Sequence, residues 1–242
     1  MFEKEFIDSN DFRFPYEVIE LSDFSHLQLS DYTTNEDIIQ GSKNYKFSNE
    51  IGFYVVPKTK KDKHYFLINQ KSISKDIRPE ARKAYTTIHE LVHAINLCGF
   101  IDNNVLEECY ADMDAERLIG YRFVDEFHAC LFALKYCDGK EIQCYDPVLE
   151  TDADTFVRNV NYRLTVVANS FERFKYDLSI LLGYVVFYNE RNGIDATNKI
   201  LPSVNLGLRK LLNYLASNDL GKIDKNNLVE IARLVGAIWG SI

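Results

Sequence analysis

Apolar positions recur along this chain with two different periods, and the change between them divides it. From Arg82 to Ile95 they fall three and four apart, at Ala84, Ile88, Leu91, Val92 and Ile95, which lays a broad apolar stripe along one helix face. Pro79 and Glu80 open that helix, and Gly99 is expected to close it. Strong helix formers without Gly or Pro run from Val105 to Leu118, and the short link Phe100 to Asn104 folds this second helix back antiparallel. Ahead of both, Ile51 to Val56 and His64 to Ile68 are rich in β-branched and aromatic residues and flank the polar run Lys58 to Lys63, which predicts a hairpin.

The periodicity after Gly120 is helical. A helix is expected from Asp125 to Tyr136, a turn at Asp138-Gly139-Lys140 and a boundary at Pro147. Four apolar sets follow: Phe156, Val160, Leu164 and Val167; Leu178 to Tyr188; Leu206 to Leu215; and Leu228 to Ile238. They predict about four helices packed as a bundle. Residues 1–48 are acidic and aromatic and read as a helix or two with loops, burying Phe12, Phe14, Tyr16, Ile19 and Leu21. The expected class is α+β and predominantly helical: a small antiparallel sheet packed on a helix pair, then a C-terminal helical bundle. The divisions are an N-terminal segment (1–48), a core (49–136) and a C-terminal helical domain (137–242).

Composition narrows the function classes. The chain has 242 residues, 46% hydrophobic and 26% charged, as expected of a soluble globular protein. A net charge of -8 argues against direct nucleic-acid binding, which needs a basic footprint. No apolar run approaches a membrane span, and Met1-Phe2-Glu3-Lys4-Glu5 is not a signal peptide. The five cysteines (Cys98, Cys109, Cys130, Cys137 and Cys144) form no framework, so reduced thiols and a cytoplasmic location are expected. Composition does not set the oligomeric state.

The chemistry lies in the first helix. His89-Glu90-Leu91-Val92-His93 is H-E-x-x-H: two imidazoles four apart on one helix face, able to share a metal ion, with Glu90 beside them as a base. Two His and one Glu is the donor set of catalytic zinc sites, so a third donor, a carboxylate, is sought downstream. Glu107 and Glu108 both qualify by chemistry. Spacing favours Glu108, because Asp112 follows it by four residues and can accept the outer N–H of a metal-bound histidine, whereas Glu107 has Ala111 in that place. One Zn2+ per chain is expected, held by His89, His93 and Glu108. Tyr110, Tyr121 and His128 are candidates for stabilising a reacting oxyanion, and the sequence does not rank them. The spacings of His128, Cys130, Cys137 and Cys144 match no standard zinc pattern, and His26 and His64 read as surface residues.

These segments resemble the ImmA/IrrE family of zinc metallopeptidases. Phe66-Leu67-Ile68-Asn69 is similar to the family's short strand before the active-site helix, Arg82 to His93 to its run into H-E-x-x-H, and Glu108 to Ala115 to its E-x-x-A-D-x-x-A segment. The chain departs from the family at Val92, often Gly there, and at Asp114, usually Phe. The resemblance implies a Glu-zincin with a thermolysin-like core. It also implies a protein or peptide substrate: limited proteolysis of a regulatory protein, often a helix-turn-helix repressor, in a phage, mobile-element or stress circuit. A second reading from another class is a non-catalytic zincin-fold binding module with structural zinc. Glu90 counts against it, since a structural site has no use for a base.

Overall fold

The run His64–Asn69 is buried on both faces, with His64, Phe66, Leu67 and Ile68 all at 0% exposure, which suits a central strand with neighbours at both edges and packing on both faces. In the computed structural model, which describes residues 2–106, 115–167, 171–200, 202–218 and 223–241, those neighbours are present. The sheet comprises β1 (Tyr16–Leu21), β2 (Gly52–Val55) and β3 (His64–Asn69), in the order β1-β3-β2. The predicted hairpin forms, with Tyr54 opposite Phe66. The sheet as a whole is mixed rather than antiparallel, because β1 pairs parallel with β3, placing Val18 beside Phe66. Tyr16–Leu21 does not read as a strand because Glu17 and Glu20 interrupt its apolar pattern. Both are accounted for by the edge position of β1, where they meet Lys63 and Lys83 at 2.5 and 2.6 Å.

Successive side chains of a strand face opposite ways. Tyr54 and Phe66 join the main core, while Val55 and Leu67 join a smaller one with Phe24, Leu29 and Phe47. The N-terminal segment also supplies α1 (Phe2–Ser9), which buries Phe6, and α2 (Glu36–Ser42). Asn69 ends β3 and caps the short α3 (Gln70–Ile73), accepting from the Ser72 N–H, while its amide donates to the Glu50 carbonyl at 2.8 Å. The end of β3 is thereby fastened to the approach to β2.

Helix α4 (Pro79–Asp102) begins where Pro79 predicts, but it runs through Gly99. The turn that stops it is made by Asn104, in the left-handed region at φ 56°. Helix α5 (Ala115–Gly139) returns antiparallel to α4, with Tyr121 edge-on to Phe100 at 5.2 Å and Asp125 facing Asn96. Gly120 lies inside α5 rather than at its end. A Cβ there would sit 2.0 Å from the carbonyl oxygen of Leu228, so only glycine lets the final helix come this close. Among the described residues four further α-helices follow: α6 (Ala153–Val167), α7 (Phe171–Asn192), α8 (Pro202–Ser217) and α9 (Lys225–Trp239). Helices α7 and α9 pack on α5, with α6 against α7 and α8 against α9. One continuous core runs from Phe6 to Ile238 with α5 through its middle. Among the described residues no helix is long and apolar enough to cross a membrane.

His64 is not a surface residue. Rings of Phe12 and Phe14 flank it, the Tyr54 hydroxyl donates to its Nδ1 at 2.8 Å, and its Nε2–H donates to the Lys60 carbonyl at 2.9 Å. Burial holds its pKa below the ordinary value, and burial likewise pushes His128 down to about 4. Both groups refuse a proton that the unfolded chain accepts near pH 6.5, so the unfolded state binds more protons as pH falls below that point. Stability is expected to drop between pH 6.5 and 5, by up to about 1.4 kcal/mol per pH unit for each such histidine. Urea midpoints at pH 7 and pH 5 measure this, and His64→Asn should flatten the difference. An equal slope in the variant would remove His64 from the account.

Candidate metal centre

The apolar stripe of α4 decides which way its polar groups point. Ile88, Leu91 and Val92 are buried against the sheet and α5, and this holds His89 and His93 on the side that meets α5. Their Nε2 atoms face each other at 3.1 Å. The antiparallel register of α5 brings Glu126 to the same point, its Oε1 at 3.2 Å from His89 Nε2 and its Oε2 at 3.6 Å from His93 Nε2.

One donor atom from each of the three side chains lies within 4.8 Å of the others, near enough to share one ion. The electrostatics agree. Burial works against charge on His93, yet the carboxylates of Asp125, Glu126 and Glu90 around it raise its pKa to about 10. Burial would also raise Glu126, but the two imidazoles and the Tyr176 hydroxyl hold it below the ordinary carboxylate value. Glu126 Oε1 is buried without a hydrogen bond of good geometry. Two imidazoles among three carboxylates draw in a cation, and His89, His93 and Glu126 can hold a metal ion. No protein-family model matches this chain, and no curated protein and no solved structure matches it. What the site can do therefore follows from its own donors.

Around the donors stand groups that orient them. The Tyr85 hydroxyl lies 3.4 Å from His89 Nδ1, and Asp125 Oδ2 lies 2.9 Å from His93 Nδ1. The second contact is close but off the line of the N–H bond, so it is an ion-pair contact rather than a formed hydrogen bond. Each histidine thus has an acceptor behind it, which leaves Nε2 to face the cluster. Glu90 does not join the three donors. It turns toward β2, where the Tyr54 backbone N–H offers it a hydrogen bond and Gly52 makes room for it. Burial raises the Glu90 pKa and Glu126 adds to the effect, while His89 and His93 oppose it. From the other wall of the site, α7 brings in Tyr176, whose phenol pKa is pushed well up by the facing Glu126 carboxylate.

The structure thus brings together His89, Glu90 and His93 as their spacing predicts. Glu108, Asp112 and Tyr110 lie outside the described residues. Tyr121 is 1% exposed and packs in the core against Phe100. His128 stands behind Asp125 rather than across from the donors, with its Nδ1 at 2.6 Å from Asn96 Oδ1. Four residues of the site go unread in the sequence: Glu126, Asp125, Tyr85 and Tyr176. For two of them a signal exists. Asp125-Glu126 are adjacent acids inside the apolar run Phe123, Val124, Phe127, Ala129 and Cys130, where an unpartnered charge is costly. Tyr85 and Tyr176 carry no such mark.

Proposed function

We propose that this chain is a zinc-dependent endopeptidase, with His89, His93 and Glu126 as the metal donors and Glu90 as the general base. The observation that carries this reading is the convergence of the three donor side chains beside a buried carboxylate that is not a donor. Two imidazoles and one carboxylate suit zinc with a position left open. A zinc ion held there supplies Lewis acidity toward water and toward a substrate carbonyl. Glu90, with its pKa raised, takes a proton from the attacking water and returns it to the leaving amine. The Tyr176 hydroxyl, which donates to Glu126, steadies that carboxylate as a donor. Strand β2 is an edge of the sheet beside Glu90, and an extended peptide is held by adding to that edge through main-chain hydrogen bonds. The resemblance to the ImmA/IrrE family supports limited cleavage of a regulatory protein.

The deciding experiment compares new protein N-termini in cells expressing the native chain or Glu90→Gln at equal levels. Termini that appear only with the native chain establish the peptidase and name its substrate. Identical patterns in both would favour the non-catalytic binding module.

Gly52 offers an independent check on how Glu90 is placed. A Cβ at Gly52 would lie 2.8 Å from Glu90 Oε1 and 2.4 Å from Thr86 Cγ2. Gly52→Ala is therefore expected to displace the base by a few tenths of an ångström or more while leaving the metal donors alone. Metal content should match the native chain and peptide hydrolysis should fall about tenfold or more, given how steeply rate depends on positioning. Native hydrolysis in this variant would show that the Glu90 position is not critical.

A further inference from the structure

His128 and Asn96 are half-buried and buried polar groups that the proposed chemistry leaves without a part. They form a chain with a single sense. Asp125, as a carboxylate, only accepts, so it is the Asn96 amide Nδ2 that donates to Asp125 Oδ1, at 2.7 Å. The other end of Asn96, Oδ1, must then accept, and His128 Nδ1–H donates to it at 2.6 Å. Asp125 Oδ2 is left for His93 Nδ1, 2.9 Å away. The order is His128, Asn96, Asp125, His93. Asn96 sits three residues beyond His93 on α4, while Asp125 and His128 belong to α5, so the amide bridges the same two helices that carry the donors.

We propose that Asn96, backed by His128, is a positioning residue of the metal centre: it fixes the Asp125 carboxylate, which in turn orients His93 toward the metal. Without Asn96, Asp125 loses the donor on its Oδ1 and can rotate away from His93 Nδ1. The Asn96 amide is itself free to flip unless His128 takes its oxygen. This inference rests on the metal reading given above.

The test measures Zn2+ affinity by competition with a chromophoric chelator, for the native chain, Asn96→Leu, Asn96→Ser and His128→Phe. Thermal unfolding of each metal-free form is recorded alongside. The Asn96 variants are expected to bind zinc about tenfold more weakly, the low end of the loss usual for partners of a metal-bound histidine. His128→Phe, which keeps the ring volume and its packing on Phe132, should shift in the same direction by a smaller factor. A purely structural role would lower the melting temperature of the metal-free chain and leave the affinity of the folded protein unchanged. Native zinc affinity in every variant that folds overturns the proposal and leaves the metal centre standing. Absence of zinc binding by the native chain overturns both.

Discussion

Glu90→Gln is expected to keep its metal and lose about 10²–10⁴-fold in kcat, the range that a positioned general base contributes. The substitution preserves shape and volume and changes one property, the capacity to take a proton. Glu90 is buried, lies toward β2 rather than with the three donors, and has its pKa raised chiefly by burial. Removing its charge should therefore leave the His89, His93 and Glu126 arrangement intact. It removes one of the three carboxylates that favour a cation, so metal affinity should fall modestly while the site stays filled, because Glu90 is not among the three grouped side chains. Metal content and peptide hydrolysis measured on the same preparation separate the two effects. Loss of metal from Glu90→Gln would mean that Glu90 holds the cage together, and the role of base would have to be given up.

Glu126→Ala is expected to empty the site. Partners one step removed from a metal typically change affinity 10–100-fold, and a direct donor should cost more than about 100-fold. The charge balance points the same way. With Glu126 gone, His89 loses the carboxylate 3.2 Å from its Nε2 and His93 loses one of the groups that raise its pKa. Metal content after dialysis against a weak chelator reads this directly, with Glu108→Ala as the companion variant. Retention of metal in Glu108→Ala and its loss in Glu126→Ala is the expected pair of results. The reverse pair would transfer the third position to Glu108.

The two carboxylates show how far a sequence can be read toward a site. His89, Glu90 and His93 are legible because helical geometry alone relates them: their separation is local, and no knowledge of packing is needed. The place of Glu126 beside them depends on where a second long helix lies against the first. Glu126 stands 33 residues after His93, and only the antiparallel register that sets Tyr121 on Phe100 and Asp125 on Asn96 brings it to the histidines. Glu108, the carboxylate that spacing favours, lies outside the described residues, so the two are compared by experiment. The hairpin and the first site helix follow their apolar periods, whereas α5 runs unbroken through the separate helix expected from Asp125 to Tyr136, and β1 goes unannounced, since an edge strand tolerates Glu17 and Glu20 when lysines meet them. His64 fails for a similar reason. Its burial depends on Phe12 and Phe14, some fifty residues earlier, and nothing next to it in the chain announces them.

The contact at Gly120 has a mechanical consequence. A helix is stiff along its axis, and Gly120 and Glu126 are six residues apart on α5, about 9 Å at 1.5 Å per residue. The carbonyl of Leu228, near the start of α9, rests on one end of that span, and Glu126 of the candidate metal site sits at the other. The last helix and the candidate site are thus loaded onto the same short rod. A partner on α9 and an ion at the site that both favour one setting of α5 would each raise the other's affinity by the same factor.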